Sequence, residues 1–199
     1  MTCSLCPALC LSRNRIVAPT WSPSCNILCV GEAPGDAEDR TGIGFVGASG
    51  KRLDELLTEQ GLFRGVDYGV SNIVRCRPQD NRKPTSHEIT NCLPLLGQFL
   101  VEARPKVVIA VGNTAVSIFY GAGSLLRRID QSRESAILVG TGWLGHQALR
   151  ASIDALGSLV VYPTVHTSGL SWNRRATNGR PWSEIGKEQI ALAVAASRE

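Results

Sequence analysis

KVVIAVG, residues 106–112, decides the fold. Between its lysine and its glycine lie only Val, Ile and Ala. A strand with one wet face alternates apolar and polar residues, and this one does not. Both of its faces must be buried, as in a parallel sheet covered by helices. Three further runs share the pattern: NILCVG (26–31), YGVSNIV (68–74) and SLVVYPT (158–164).

Helical patterns lie between these runs. Residues 49–60 place Leu53, Leu56 and Leu57 on one face, and Gly61 follows as a stop. Thr85-Ser86-His87-Glu88 reads as a capping box, with Thr85 as N-cap. The apolar stripe Ile89, Cys92, Leu93, Leu96 and Leu100 continues that helix, and Pro94 is expected to kink it. Asn113 is expected to cap a short helix through Tyr120. Strands alternating with helices predict a three-layer α/β/α fold with a parallel sheet, in one domain over residues 1–199. Residues 121–156 read least clearly, as a hairpin and a short helix.

The chain of 199 residues can build a proper core, and 43% hydrophobic with 19% charged residues is ordinary for a soluble fold. No apolar run reaches the roughly 20 residues of a membrane span, and the first residues do not read as a signal peptide. A cytoplasmic protein is expected. Its seven cysteines then point away from a disulfide framework and toward metal binding wherever their spacing suits ligands. The net charge of +4 is compatible with a polyanionic partner without requiring one.

Cys3 and Cys6 form C-x2-C on an N-terminal arm, and fifteen residues separate Cys76 from Cys92. Thiolates suit zinc or iron–sulfur centres. Spacing alone leaves Cys76 and Cys92 open between a four-thiolate site and two small buried apolar residues. Cys10 is a rival ligand, and Cys25 and Cys29 border a buried strand and read as core.

In open parallel sheets ligands bind beyond the carboxyl ends of the strands. After the first strand comes GEAPGDAED (31–39), four acids in nine residues with Gly and Pro among them, either a solvated loop or a fixed backbone path. GIGFVG (42–47) spells GxGxxG, but it lies too far beyond the strand to be a dinucleotide fingerprint. It leaves Phe45 in a glycine-rich loop, as a core residue or as a stacking platform for a planar ligand. Asn72 stands among Val and Ile in the second strand, either internally satisfied or able to read the edge of a base. Arg75, Arg77, Arg82 and Lys83 crowd the following loop and could engage phosphates. The fourth strand leads to His166, Thr167, Ser168, Leu170, Trp172, Arg174 and Arg175, where hydroxyls, apolar wedges and cations together suit a grip on DNA.

GEAPGDAED (31–39), GFVGASGKRLDELL (44–57), SNIVRCRPQDNRKPT (71–85) with Cys92 downstream, PKVVIAVGNTA (105–115) and YPTVH (162–166) together resemble the family-four, iron–sulfur uracil-DNA glycosylases. The likeness covers most of the chain, apart from residues 121–156 and roughly the last 25. It implies a four-stranded parallel sheet between helices and a four-iron four-sulfur cluster on Cys3, Cys6, Cys76 and Cys92. It implies that Phe45 stacks on a flipped base, Asn72 bonds its Watson–Crick edge and His166 contacts the pyrimidine O2. Glu32 takes the acidic position near the attacking water. Ala33 stands where other glycosylase families keep an Asp, and Glu38 closes the C5 side of the pocket. Arg77, Arg82, Thr167, Ser168, Leu170 and Arg174 become the expected DNA contacts, and a monomer is expected. Two features depart from the family: Thr167 replaces the Pro that usually follows the histidine, and LLRRID (125–130) with an insertion around 143–156 replaces an RGK-like segment. A glycosylase of the same build acting on a modified pyrimidine, such as a hypermodified phage cytosine, and a non-catalytic iron–sulfur nucleic-acid-binding module are the alternative readings.

Overall fold

A computed structural model describes residues 3–134 and 145–199. Its frame is a four-stranded sheet of β1 (Ile27–Gly31), β2 (Tyr68–Asn72), β3 (Val107–Val111) and β4 (Val160–Thr164), in the order β2-β1-β3-β4 and parallel throughout. Every residue of β1, β2 and β3 is buried, which explains why these runs show no polar alternation. Alternate residues still face opposite layers. Leu28, Val30, Val108 and Ala110 join one cluster, while Ile27, Cys29, Val107 and Ile109 join the other.

Nine helices are seen among the described residues: α1 (Pro7–Ser12), α2 (Asp36–Thr41), α3 (Ala48–Thr58), α4 (Ser86–Ala103), α5 (Asn113–Tyr120), α6 (Leu125–Glu134), α7 (Arg150–Leu156), α8 (Gly169–Trp172) and α9 (Trp182–Ser197). The first layer is built by Leu93, Leu96 and Leu100 of α4, Val116 and Phe119 of α5 and Ile153 of α7. Leu53 and Leu57 of α3, Trp172 of α8 and Ile190 and Val194 of α9 build the second. Burying such side chains stabilises a fold by about 1.5–3 kcal/mol each. The three-layer expectation therefore holds.

α4 runs from Ser86 to Ala103 with Pro94 inside it. Its Thr85–Glu88 capping box forms as expected: Glu88 N–H donates to Thr85 Oγ1 at 3.2 Å and Thr85 N–H to Glu88 Oε2 at 2.8 Å. The N-cap of α5 is Gly112, at φ 87, and Asn113 is its first residue. The acidic stretch after β1 is partly helical. Asp36, Glu38 and Asp39 occupy the first turn of α2, where the helix dipole favours negative charge. Residues 121–134 form a turn and α6 rather than a strand of a hairpin. Any hairpin within 135–144, and Trp143 of the insertion, lie outside the described residues. Residues 147–156 of that insertion are a 3-10 turn and α7 packed on α4. No described helix is long and apolar enough to cross a membrane.

The N-terminal arm is stitched onto the sheet edge. Val70 and Thr20 exchange backbone hydrogen bonds at 2.9 Å, and Val17 N–H donates to the Arg75 carbonyl at 2.8 Å. Asp39, wholly buried, accepts from the Asn14 and Arg15 backbone N–H groups and from Asn14 Nδ2. The arm, the end of β2 and α2 are thereby held in one arrangement.

Candidate active site

The strand order reverses direction between β1 and β3, and a cleft of about 500 Å³ opens beyond the carboxyl ends of the strands. Glu32, Phe45, Asn72 and His166 line it, from four separate segments of the chain. Ala33, Glu38, Arg82 and Ser168 line it too.

The floor is Gly31. A Cβ there would stand 2.6 Å from Asn72 Oδ1 and 2.6 Å from Phe45 Cζ, so the ring and the amide meet over a residue that must lack a side chain. Phe45 has φ 57, a left-handed backbone that costs a non-glycine residue about 1–2 kcal/mol. Its main chain is pressed against α3, where a Cβ on Gly50 would lie 2.0 Å from the Phe45 carbonyl oxygen. Asn72 is 6% exposed, and its side-chain amide makes no hydrogen bond to a described residue. The residue lines the cleft, where an entering group can pair with its amide.

Glu38 is 8% exposed, and its carboxylate is fully engaged. Oε2 accepts from Gly35 N–H at 3.0 Å, and Oε1 accepts from Val46 and Gly47 N–H at 2.9 and 2.7 Å. This carboxylate joins the start of α2 to the loop carrying Phe45. The acids after β1 thus form a fixed path, not a solvated loop. Glu32 is half-buried and accepts a hydrogen bond from the Thr114 hydroxyl in the first turn of α5.

Burial holds the His166 imidazole below its ordinary 6.5, and the nearby Glu32 charge opposes this only in part. The ring is therefore neutral at pH 7. Ser168 N–H donates to its Nδ1 at 3.1 Å, so Nδ1 carries the lone pair and Nε2 the proton. Thr167 corrects an expectation: it is 1% exposed, and its hydroxyl donates to the Ser49 carbonyl at 2.7 Å. It ties the histidine loop to α3 and leaves no surface for DNA. Leu170 is 75% exposed and Arg174 is exposed. Arg82 pairs through both guanidinium ends with Glu88, at 2.9 and 2.7 Å. Arg77 donates to Asp36 at 2.9 Å and to Asn81 at 2.8 Å.

A family model described as "Uracil DNA glycosylase superfamily" matches residues 19–188, which include all four strands and the whole cleft. The chain belongs to the uracil DNA glycosylase superfamily. Several of its relatives carry the type-4 name. It is 37% identical over 172 residues to a type-4 uracil-DNA glycosylase of Thermotoga maritima, covering 86% of this chain and 79% of that one. It is 32% identical over 163 residues to the type-4 enzyme of Sulfurisphaera tokodaii, covering 81% and 68%. With the type-4 enzyme of Pyrobaculum aerophilum it shares 41% identity over 110 residues, 55% of each chain.

In this superfamily member the cysteines gather where the arm, the end of β2 and α4 meet. Arg13 Nη1 lies 3.2 Å from Cys76 Sγ, and its Nη2 donates to the Cys3 carbonyl at 2.5 Å. Asn91 Nδ2 reaches the Leu5 carbonyl at 3.1 Å and Cys6 Sγ at 3.6 Å. Arg75 N–H points to Cys92 Sγ at 3.4 Å. Cys10 Sγ donates to the Cys3 carbonyl at 3.4 Å. Burial pushes the Cys76 and Cys92 thiols up, and Arg13 draws Cys76 partly back. Among the described residues no three His, Cys, Asp or Glu side chains are close enough to hold a single metal ion. The donor set is nevertheless soft thiols, each of Cys6, Cys76 and Cys92 met by an N–H donor, as thiolate ligands require. The buried Arg75 donates from Nη2 to the Leu95 carbonyl at 2.9 Å, while its Nε has no partner among the described residues, so this junction holds a cation beside Cys92 that an anionic iron–sulfur–thiolate group would suit.

Four contributors gave no readable sign in the sequence. Asp54 and Arg64 hold the Phe45 loop, Thr114 holds Glu32 and Arg13 holds Cys76. Each acts on a partner ten or more residues away. Only Thr114, in the GNTA stretch after β3, stood near a predicted functional edge.

Proposed function

We propose that this protein is a monofunctional uracil-DNA glycosylase that flips a uracil out of DNA and hydrolyses its N-glycosidic bond, leaving an abasic site. The observation that carries the reading is the pairing of an unpartnered Asn72 amide with a neutral Nε2–H histidine at the walls of one buried cleft. A base within a duplex is out of reach, and flipping it costs about a few kcal/mol. Phe45 stacks on the flipped ring, and Asn72 offers a donor and an acceptor to its Watson–Crick edge. As the bond breaks, the base becomes anionic and the sugar cationic. The Asn72 amide and His166 Nε2–H donate to the oxygens that gain charge, in a site that excludes water. The Glu32 carboxylate, held by Thr114, faces the sugar side, where it favours the cation and orients the attacking water. Ala33 leaves space there. The Glu38 carboxylate, unable to move, bounds the C5 side.

Arg77, Arg82, Ser168, Leu170 and Arg174 are proposed to contact the DNA, with Leu170 as the wedge that fills the vacated stack. Residues 1–199 act as one domain and as a monomer. Cys3, Cys6, Cys76 and Cys92 are the proposed ligands of a four-iron four-sulfur cluster, which braces the arm against the Arg-rich loop and takes no part in the bond cleavage. Cys10 then remains a free thiol.

Incubation with a uracil-containing duplex, with released base and abasic sites measured separately, tests the proposal. Asn72→Ala is expected to lower single-turnover excision about 100-fold or more while the DNA dissociation constant stays within about threefold. Equal losses in binding and excision would refute the base-reading role. Activity on DNA with modified cytosines but none on uracil would refute the substrate.

A further inference from the structure

Phe45 is the residue whose backbone is least comfortable in the cleft, and the groups that hold it there lie outside the cleft. Arg64, in the loop between α3 and β2, donates from Nη1 to the Gly44 carbonyl and from Nη2 to the Phe45 carbonyl, both at 2.7 Å. Asp54 of α3 holds the guanidinium in turn, accepting from Nε at 2.9 Å and Nη2 at 2.6 Å. Tyr68, at the first residue of β2 and 1% exposed, donates its hydroxyl to the same Asp54 oxygen at 2.5 Å. The chain of contacts runs from the sheet through Tyr68, Asp54 and Arg64 to the carbonyls on either side of the Phe45 nitrogen and Cα.

We infer that Arg64, locked by Asp54 and Tyr68, is a positioning residue that holds Phe45 in its left-handed conformation and thereby sets the ring against the bound base. A planar guanidinium can bind two successive carbonyls and a carboxylate at once, whereas a lysine ammonium is a single point charge without that fork. The carbonyls of residues 44 and 45 both turn to the guanidinium, with the Phe45 backbone between them at positive φ. Gly50 leaves the room for this turn and Arg64 supplies the attraction that maintains it. The catalytic consequence rests on the proposed function. The conformational one does not.

The test is a double-mutant cycle in the full-length protein loaded with iron and sulfide. Arg64→Met is expected to slow single-turnover uracil excision about 10- to 50-fold with DNA affinity within about threefold. The same substitution placed on Phe45→Ala is expected to cost less than threefold, because the ring it positions is gone. Asp54→Asn keeps its shape and loses its charge. It should show the same coupling to Phe45, and it carries the cycle alone if Arg64→Met does not fold. Additive losses would overturn the inference, as would losses that follow melting temperature rather than the Phe45 background. A crystal structure of Arg64→Met or Asp54→Asn gives a readout independent of activity. Phe45 should leave positive φ or its ring should move off Gly31, and an unchanged Phe45 overturns the inference. If the wild-type protein excises no uracil, the proposed function fails, and the crystal structure still decides the conformational inference.

Discussion

Adding one methyl group at Gly31 should separate folding from catalysis. The Cβ of Gly31→Ala would lie 2.6 Å from both Asn72 Oδ1 and Phe45 Cζ, where ordinary contact begins at 3.4 Å. Each neighbour must therefore retreat by about 0.8 Å, or β1 must bend. β1 is central, paired with β2 and β3, so its backbone is the stiffer party. The displacement falls on the stacking ring and the reading amide together. A misplacement of about 1 Å costs on the order of 100-fold in rate, or about 2.7 kcal/mol of barrier. Overpacking of this kind also costs about 1–3 kcal/mol of stability. Single-turnover excision from a uracil duplex measures the first effect and urea unfolding the second. The expected variant is folded, binds DNA and excises at least about 30-fold more slowly. A Gly31→Ala variant with excision within about threefold of wild type would refute the argument that ring and amide meet over a bare backbone.

His166 is buried in its neutral form, so the unfolded chain binds a proton that the folded chain refuses below pH 6.5. Stability should therefore fall as pH drops through that value, and His166→Gln should flatten the urea-unfolding midpoint between pH 7 and pH 5.5. Glu88 has the opposite sign. The hydrogen bond from Arg82, aided by the Thr85 backbone, holds its carboxyl down at about 2, so the stability it supplies is present above 4.5 and lost as pH falls toward 2. Arg82 is 39% exposed and solvent screens the pair, so Glu88→Gln should cost about 0.2–1 kcal/mol at pH 7 and less at pH 2.5. Cys76→Ser should abolish the iron content and visible absorption of purified protein and make roughly the first 20 residues sensitive to protease, because these thiols and the arm contacts share one junction. Stoichiometric iron in that variant would exclude Cys76 as a ligand.

The strands, their parallel sense and the α4 capping box were legible in the chain because each signal is local, while Asn72 and His166 stood out by their place in or after a strand and Glu32 came in through the family resemblance of its motif. A run such as VVIAV states its own burial, and Thr85 and Glu88 sit one helical turn apart. α9 was not read, because its apolar residues serve the second layer without a marked sequence boundary. The acidic stretch after β1 was legible as chemistry but not as structure. Glu38 and Asp39 could have been solvated, and only their N–H partners at residues 14, 15, 35, 46 and 47 make them internal ties.

By itself, the sequence determined the sheet, its two covered faces and the edge at which a ligand would meet Glu32, Asn72 and His166. Only the tertiary structure decided how those residues act. The proton of His166 was assigned by an N–H from Ser168. Thr167 was turned inward by a carbonyl on α3. The geometry of Phe45 was set by Arg64, Asp54 and Tyr68, from the next loop, helix and strand. The reason is range: burial and capping are written in residues one or two turns apart, whereas hydrogen-bond partners and steric limits come from segments that meet only when the layers close.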